Sequence, residues 1–391
     1  MIPEGWKEAT VAEVLRIENT RRTPLSQEER ALRQGPYPYY GPTRAQDFID
    51  VYKYEGLHAL IGEDGDHFLK YRSEPMTQLV SGQFNVNNHA HVLKGTNACL
   101  TEWFYFFFQN RSVENALTRQ GAKRYKLTKA ALEQLPIVIP PVEEQRRIVE
   151  ILSTWDRAIE ATEQLIAKTQ AQKKTLMQQL LTSKNRLPGF NGEWRHVRLR
   201  SLLTEETKRN RDRKIARVLS VTNHSGIVLP EEQFSKRVAS EDVKDYKIIR
   251  RGEFAYNPSR LNVGSFARLD GHDEGILSPM YVVFSVDGSK LDSNFFNAWM
   301  TTDEARQRVL SNVQGSVRDS VGFDALCGFP FQLPPLAEQI AIANVLMCSD
   351  QQTECARSSL AKLKAEKSAL MQQLLTGKRR VKLSSAQEEA V

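Results

Sequence analysis

The chain says the same thing twice. Leu176-Met-Gln-Gln-Leu-Leu-Thr182 returns letter for letter as Leu370-Met-Gln-Gln-Leu-Leu-Thr376, a shift of 194 (370 − 176). The same shift carries Pro140-Pro141 onto Pro334-Pro335 and Glu144-Gln145 onto Glu338-Gln339. It carries Asp156 onto Asp350, Lys173 onto Lys367 and Lys184 onto Lys378. Upstream it still holds for Gln120-Gly121 with Gln314-Gly315, Arg124 with Arg318 and Leu132 with Leu326. Solenoid units run to roughly 20–50 residues. A repeat this long is a duplicated domain plus a helix, and an approximate two-fold axis is expected.

The helical part has the clearest period. Ile148, Leu152, Trp155, Ile159, Thr162, Ile166, Thr169, Lys173, Leu176 and Leu180 alternate steps of four and three. In the same frame the second copy gives Ile342, Leu346, Ser349, Thr353, Ala356, Leu360, Leu363, Lys367, Leu370 and Leu374. A sustained seven-residue period calls for a left-handed supercoil with a partner helix. The other copy is the evident partner, and a two-fold relation makes the pair antiparallel. The competing reading packs each helix on its own domain. Each helix starts after a proline pair, where a missing N–H costs nothing, with Glu143, Glu144 or Glu338 at the positive dipole end. Helices are expected over about 142–184 and 336–378, with Gly377 as a left-handed cap.

The frame encloses two bodies that do not repeat. Trp6 before Val11, Val14 and Leu15 matches Trp194 before Leu199, Leu202 and Leu203 at a shift of 188 rather than 194. Both bodies read as mixed α and β. Strands are expected over Gln83–Leu93, Ile248–Tyr256 (with a turn at Arg251-Gly252) and Tyr281–Val286. Aromatic helices are expected over Leu100–Gln109 and roughly Ser293–Val309. The fold class is α+β, with boundaries at 1–134, 135–189, 190–328 and 329–382 and a fraying tail at 383–391.

A chain of 391 residues with 40% hydrophobic content supports more than one core. The net charge of +7 and pI near 9.1 favour a polyanionic partner. Cys99, Cys327, Cys348 and Cys355 form no CxxC pair, as in a reducing compartment. No signal pattern or apolar run of about 18 residues occurs. The expected location is cytoplasmic, with no membrane.

Catalytic motifs are scarce. There is no GxGxxG, Walker A or HExxH sequence. Asn257-Pro-Ser-Arg260 lacks the second proline and the aromatic of an amino-methyltransferase motif, so a turn is favoured. Glu206-Thr-Lys208 has no partnering Pro-Asp of a nuclease. His89 and His91 share a strand face without a nearby acidic or Cys ligand, so no metal is expected. Nucleic-acid chemistry is better represented. Lys208, Arg209, Arg211, Arg213 and Lys214 form a basic run suited to phosphates and guanine edges. Arg21, Arg22, Arg44 and Tyr37, Tyr39 and Tyr40 lie in a Gly/Pro-rich stretch. Asn85, Asn87, Asn88 and His89 cluster at a strand end, and Asn amides pair with adenine. Asn223, His224, Ser225, Asn257, Ser259 and Arg260 provide similar loops in the second body.

Four sequence features stand together: Pro-Pro-x-x-Glu-Gln starts at 140–145 and 334–339, the paired Leu-Met-Gln-Gln-Leu-Leu-Thr-x-Lys ends, the Gln-Gly-x-x-Arg approaches, and Gly275-Ile-Leu-Ser-Pro-Met-Tyr281. By these, over nearly its whole length, the chain resembles the specificity subunits of type I restriction-modification systems. The resemblance implies two target recognition domains held apart by an antiparallel two-helix coiled coil, each reading half of a split double-stranded DNA site. It implies no catalysis in this chain. Two modification subunits would bring S-adenosylmethionine and flip adenine from the duplex; restriction subunits would use ATP and Mg. The outer helix faces would dock these partners, with Pro140, Pro141, Glu144, Gln145, Pro334, Pro335, Glu338 and Gln339 in that surface or serving as helix caps only. The rivals are a stand-alone DNA methyltransferase or nuclease, and a coiled-coil adaptor without DNA readout.

Overall fold

The computed structural model describes residues 2–120, 124–223, 225–230, 242–314 and 320–382. Gly121, Gly315, Arg318, His224 and the 383–391 tail lie outside the described residues. The chain forms two compact units: Met1–Glu163 with Ser358–Val391, and Gln164–Arg357. Each long helix, Val142–Leu180 and Leu336–Leu374, therefore gives its first half to one unit and its second half to the other.

In the first unit, Lys7–Thr10 pairs with Pro136–Ile139. Beside this pair lies an antiparallel sheet in the order Leu15–Ile17, Ala90–Gly95, His58–Gly62, Thr77–Val80. A second sheet runs Ala45–Ile49, Gln34–Tyr40, Gln83–Val86, Tyr54–Glu55, with a parallel pairing at its centre. The aromatic helix Thr101–Gln109 buries Trp103, Phe104, Phe106, Phe107 and Phe108. Its core takes in Trp6 from the chain start, Ile148 and Leu152 from the first long helix, and Met371 and Leu374 from the second.

The second unit repeats this plan. Arg195–Arg198 pairs with Pro330–Leu333. The main sheet runs Leu203–Glu205, Val282–Val286, Phe254–Tyr256, Phe266–Arg268. Lys247–Arg250 pairs with Glu274–Leu277, and Ser220–Val221 with Ile227–Val228. Its core joins Trp194, Phe295, Phe296 and Trp299 to Leu180 and Leu181 of the first long helix and Ile342 and Leu346 of the second.

In each unit the two helix halves run antiparallel. In the first, Asp156 pairs with Lys367 and Glu163 with Lys364; in the second, Lys173 pairs with Asp350. Every seam position named from the heptads is buried or half-buried. Gly377 caps the second long helix at φ +67°, and Ser183, its counterpart 194 residues earlier, adopts φ +55°. Glycine takes that conformation freely, and serine at some cost.

Two local expectations need correction and one is refined. Gln83–Leu93 is two strands, because Asn87 turns the chain by accepting a hydrogen bond from the His89 amide at 2.8 Å. The turn expected at Arg251-Gly252 is present, and the strands it separates, Lys247–Arg250 and Phe254–Tyr256, enter different sheets. The second aromatic helix ends at Met300, and a new helix spans Asp303–Gln314. Thr302 starts it by accepting from the Ala305 amide at 3.2 Å, an N-cap the sequence Thr-Asp-Glu announces.

Candidate nucleic-acid interface

In the first unit two turns fuse into one polar rim. The hairpin between Gln34–Tyr40 and Ala45–Ile49 closes with Gly41 N–H on Arg44 O at 2.8 Å. The Asn87–His89 turn is tied to it by Asn87 N–H on Tyr40 O at 3.0 Å. Asn87 Nδ2 also donates to Gln46 Oε1 at 3.1 Å. Ser26, Arg30, Gln46, Asn87, Asn88 and His89 line a concavity of about 440 Å³ there. Arg44, Asn88 and His89 are exposed. Arg44 has no side-chain partner among the described residues, so its charge is available to a phosphate or a base edge. His89 Nδ1 lies 2.9 Å from Asp64 Oδ2. Gln46 and Arg30 were missed in the sequence. Gln46 lies in the strand Ala45–Ile49 and Arg30 in the short helix Gln27–Leu32, and neither segment carries a motif that marks it as a site.

Other expected contacts face inward. Tyr39 is fully buried, its hydroxyl donating to Thr23 O at 2.7 Å and accepting from Leu25 N–H at 3.0 Å; burial raises its phenol pKa. Tyr40 packs edge-on against Phe84 and Tyr37 tilts against Tyr52. Asn85 is buried and donates to Val51 O. Arg22 holds Glu63 at 2.6 Å and the carbonyls of Asn88 and Ala90 at 3.2 and 3.1 Å. It braces the Asn87–His89 turn from beneath rather than meeting a ligand. Arg21 is exposed, paired with Glu18 and lying over the Tyr54 ring at 4.8 Å. His91 is buried between Asn19 and Leu127 O.

In the second unit buried Asn210 holds the basic run in shape through Ile215, accepting from its N–H at 3.2 Å and donating to its O at 2.8 Å. Arg209 donates to Asp245 O; Arg213 and Lys214 pair with Asp242 and Asp212 at 3.2 Å each. Lys208 and Arg211 are exposed and have no side-chain partner among the described residues. Asn223 and Ser225 are exposed on the turn after Val221. Ser265 joins that turn to the next loop, its hydroxyl 3.4 Å from Val221 O and its carbonyl accepting from Asn257 N–H at 3.1 Å. This places Asn223 and Ser225 near exposed Ser259 and Arg260. Asn257 is buried and caps the 3-10 turn Pro258–Val263 through Ser259 N–H, so it is a turn residue. The basic run lies apart from these loops, bridged through Arg209 to Lys247. By sheet order, the counterpart of the Asn87–His89 turn is the Ser278–Tyr281 loop, which carries Met280 at 60% exposure. The sequence reading gave that loop no DNA role.

The Pro-Pro-x-x-Glu-Gln residues are internal locks, so the expected outer partner surface at Glu144, Gln145, Glu338 and Gln339 is corrected. All four are buried. Glu144 accepts the Trp6 indole N–H at 3.1 Å and the Arg380 guanidinium at 2.7 and 2.8 Å. Glu338 accepts the Trp194 indole at 3.1 Å and Arg186 Nε at 2.9 Å. Gln145 accepts from Leu100 N–H and donates to Ala98 O and Pro140 O. Gln339 does the same with Asp292, Lys290 and Pro334. Pro140 and Pro334 are buried, Pro141 is half-buried and Pro335 exposed. Bonds this specific fix each helix start to its body.

No described helix is long and apolar enough to cross a membrane. A family model described as the type I restriction modification DNA specificity domain matches residues 3–171. A type I restriction enzyme specificity subunit of Haemophilus influenzae is 39% identical over 147 residues, 38% of this chain and 36% of that protein. The chain thus aligns with about a third of that relative. The MjaVIII specificity subunit of Methanocaldococcus jannaschii is 20% identical, over 97% of this chain and 94% of its own. The crystal structure of a type I restriction-modification S subunit from M. genitalium shares the fold with a TM-score of 0.63 at 12% identity, over 97% of both chains. Residues 3–171 are thus similar to the type I restriction modification DNA specificity domain, and the chain shares its fold with a solved S subunit.

Proposed function

We propose that this chain is the DNA-specificity subunit of a type I restriction-modification complex, each recognition body reading one half of a bipartite double-stranded site. One observation carries the reading: the same Trp–Glu–Arg and Gln locks occur twice around bodies whose exposed loops differ. A repeated frame with dissimilar polar rims suits one target with two unlike halves. Arg44, Asn88 and His89 are the candidate contacts of one body; Lys208, Arg211, Asn223, Ser225, Ser259 and Arg260 are those of the other. Phosphate contacts position such a body and base-edge contacts give it specificity.

The long helices pair as an antiparallel coiled coil about a pseudo-two-fold axis and set the gap between half-sites. The burial of every heptad position and the ion pairs of the antiparallel halves support this. Two modification subunits supply S-adenosylmethionine chemistry, and restriction subunits supply ATP- and Mg-dependent cleavage. This chain contributes recognition and no catalytic step. Methylated adenines should be sequenced from cells carrying the chain with its modification partner. Two unlike half-sites at one fixed gap are expected, and exchanging one body should change one half-site only. Methylation at the same sites without this chain would overturn the proposal.

A further inference from the structure

The rim of the first unit has its hydrogen-bonding polarity fixed from behind. A side-chain amide can turn over and an imidazole can move its proton, but a backbone N–H only donates and a carboxylate only accepts. Both kinds of anchor are present here. The His89 N–H donates to Asn87 Oδ1 at 2.8 Å, so the other end of that amide, Nδ2, must be the donor. It donates to Gln46 Oε1 at 3.1 Å. Gln46 is exposed, and its Nε2 is left as a donor with no partner among the described residues. Gly41 makes room for it: a Cβ there would lie 2.3 Å from Nε2.

The His89 ring is polarised in the opposite sense. Its Nδ1 lies 2.9 Å from Asp64 Oδ2, and the carboxylate obliges Nδ1 to carry the proton. Asp64 is held in place on both sides, by Glu63 N–H on His89 O at 2.7 Å and Gly65 N–H on Tyr125 O at 3.1 Å. Lys126 Nζ is 3.7 Å from its other oxygen. Nε2 of the neutral ring is therefore an acceptor, on a side chain that is 53% exposed. Gln46 and His89 line the same concavity, so a fixed donor and a fixed acceptor share one rim. Phosphate oxygens only accept and do not satisfy Nε2. The donors on the groove edges of duplex DNA are the amino groups of adenine, cytosine and guanine.

We propose that His89 is a specificity-determining residue of the first body: its Nε2 accepts from the amino group of one base, while Gln46 Nε2 donates to an acceptor on that base or the next. This rests on the function proposed above and narrows it, from a polar rim that meets DNA to one that requires an amino group. Asp64 and Asn87 are positioning residues that hold the polarity of the two contacts.

The chain with its modification partner should be titrated with duplexes carrying the mapped site, at about pH 8, where imidazole is ordinarily neutral. In each duplex one base lacks its amino group: purine replaces adenine, pyrimidin-2-one cytosine, or hypoxanthine guanine. At one position of the half-site read by the first body, this loss should raise the wild-type dissociation constant about tenfold, as for one hydrogen bond. The analogue that responds identifies the base. In His89→Ala the same replacement should cost nothing further. In Asp64→Asn, whose amide lets the ring present either tautomer, its cost should shrink to below about threefold. Replacements in the other half-site should cost the same in all three proteins. Gln46→Ala should relax the base choice at that position or its neighbour, and an unchanged methylation map would remove Gln46 from the readout. If every amino group of the half-site matters as much to His89→Ala as to wild type, the His89 assignment is overturned and the proposed function stands. Wild-type binding that is as tight to scrambled half-sites as to the mapped ones overturns that function as well.

Discussion

The ion pair Asp156–Lys367 offers a sharp energetic test because its repeat twin sits in a different environment. The Lys367 side chain is 10% exposed and Asp156 is 34% exposed. Besides Asp156, the ammonium has Gln109 Oε1 at 3.1 Å and the Phe106 ring at 5.4 Å. Asp156→Ala leaves a largely buried ammonium with a neutral amide oxygen and an aromatic ring but no countercharge. Breaking a buried pair costs about 3–5 kcal/mol. Water reaches Asp156, so the expected loss is about 2–3 kcal/mol. Lys367→Met removes the charge and fills a seam position with apolar bulk, so its expected cost is below about 1 kcal/mol. Adding Lys367→Met to Asp156→Ala should recover most of the loss. In the twin, Lys173 is 27% and Asp350 61% exposed, so Asp350→Ala should cost no more than about 1 kcal/mol. Urea unfolding followed by tryptophan fluorescence and circular dichroism measures each change. Equal losses for Asp156→Ala and Lys367→Met, or no recovery in the double variant, would refute the reasoning.

Arg44→Ala should weaken DNA binding and lower the salt slope by about one with no change in melting temperature. Arg22→Ala should lower the melting temperature, since Arg22 braces a turn; equal salt slopes for Arg44→Ala and wild type would remove Arg44 from the interface. His91 is held neutral: burial first of all lowers its pKa. Asn19 Oδ1 is committed to Val92 N–H at 3.0 Å, leaving Nδ2 to donate to His91 Nδ1 at 2.8 Å. The depressed folded pKa means that the contribution of His91 to stability is intact above about 6.5 and is lost as pH falls through the folded value. Thermal melts between pH 7 and 5 should fall more steeply for wild type than for His91→Gln; parallel curves would refute this. Inserting one heptad into both long helices adds about 10 Å, or about three base pairs, to the gap between half-sites. Methylation mapping that finds an unchanged gap would end the spacing proposal.

The frame was legible in the sequence because a seven-residue period survives in the letters, and because prolines and Gly377 mark helix ends locally. The locks were not. Glu144 meets Trp6 and Arg380, residues far along the chain in both directions, and no local pattern shows a carboxylate turning inward toward such partners. Strand register hid Tyr39, whose burial depends on which face of its sheet meets the core. The rim was hidden because Gln46 lies on one strand and Asn87 in the turn after another strand of the same sheet, so they touch only once the sheet has formed. The basic run was visible, yet three of its five cations are engaged by neighbouring groups in the fold, a cost that composition does not display.

The division of the helices bears on how the protein is made. The second unit, Gln164–Arg357, is one continuous stretch, whereas the first must wait for Ser358 onward. At a synthesis rate of roughly 5–20 residues per second, those intervening residues take on the order of 10–40 seconds. Through that interval the core around Ile148 and Leu152 lacks Met371, Leu374 and Leu375, and Glu144 has the Trp6 indole without its guanidinium. The portion translated first is therefore completed last, and nascent chains that stall before residue 358 will expose a sticky apolar seam for chaperones or proteases to meet.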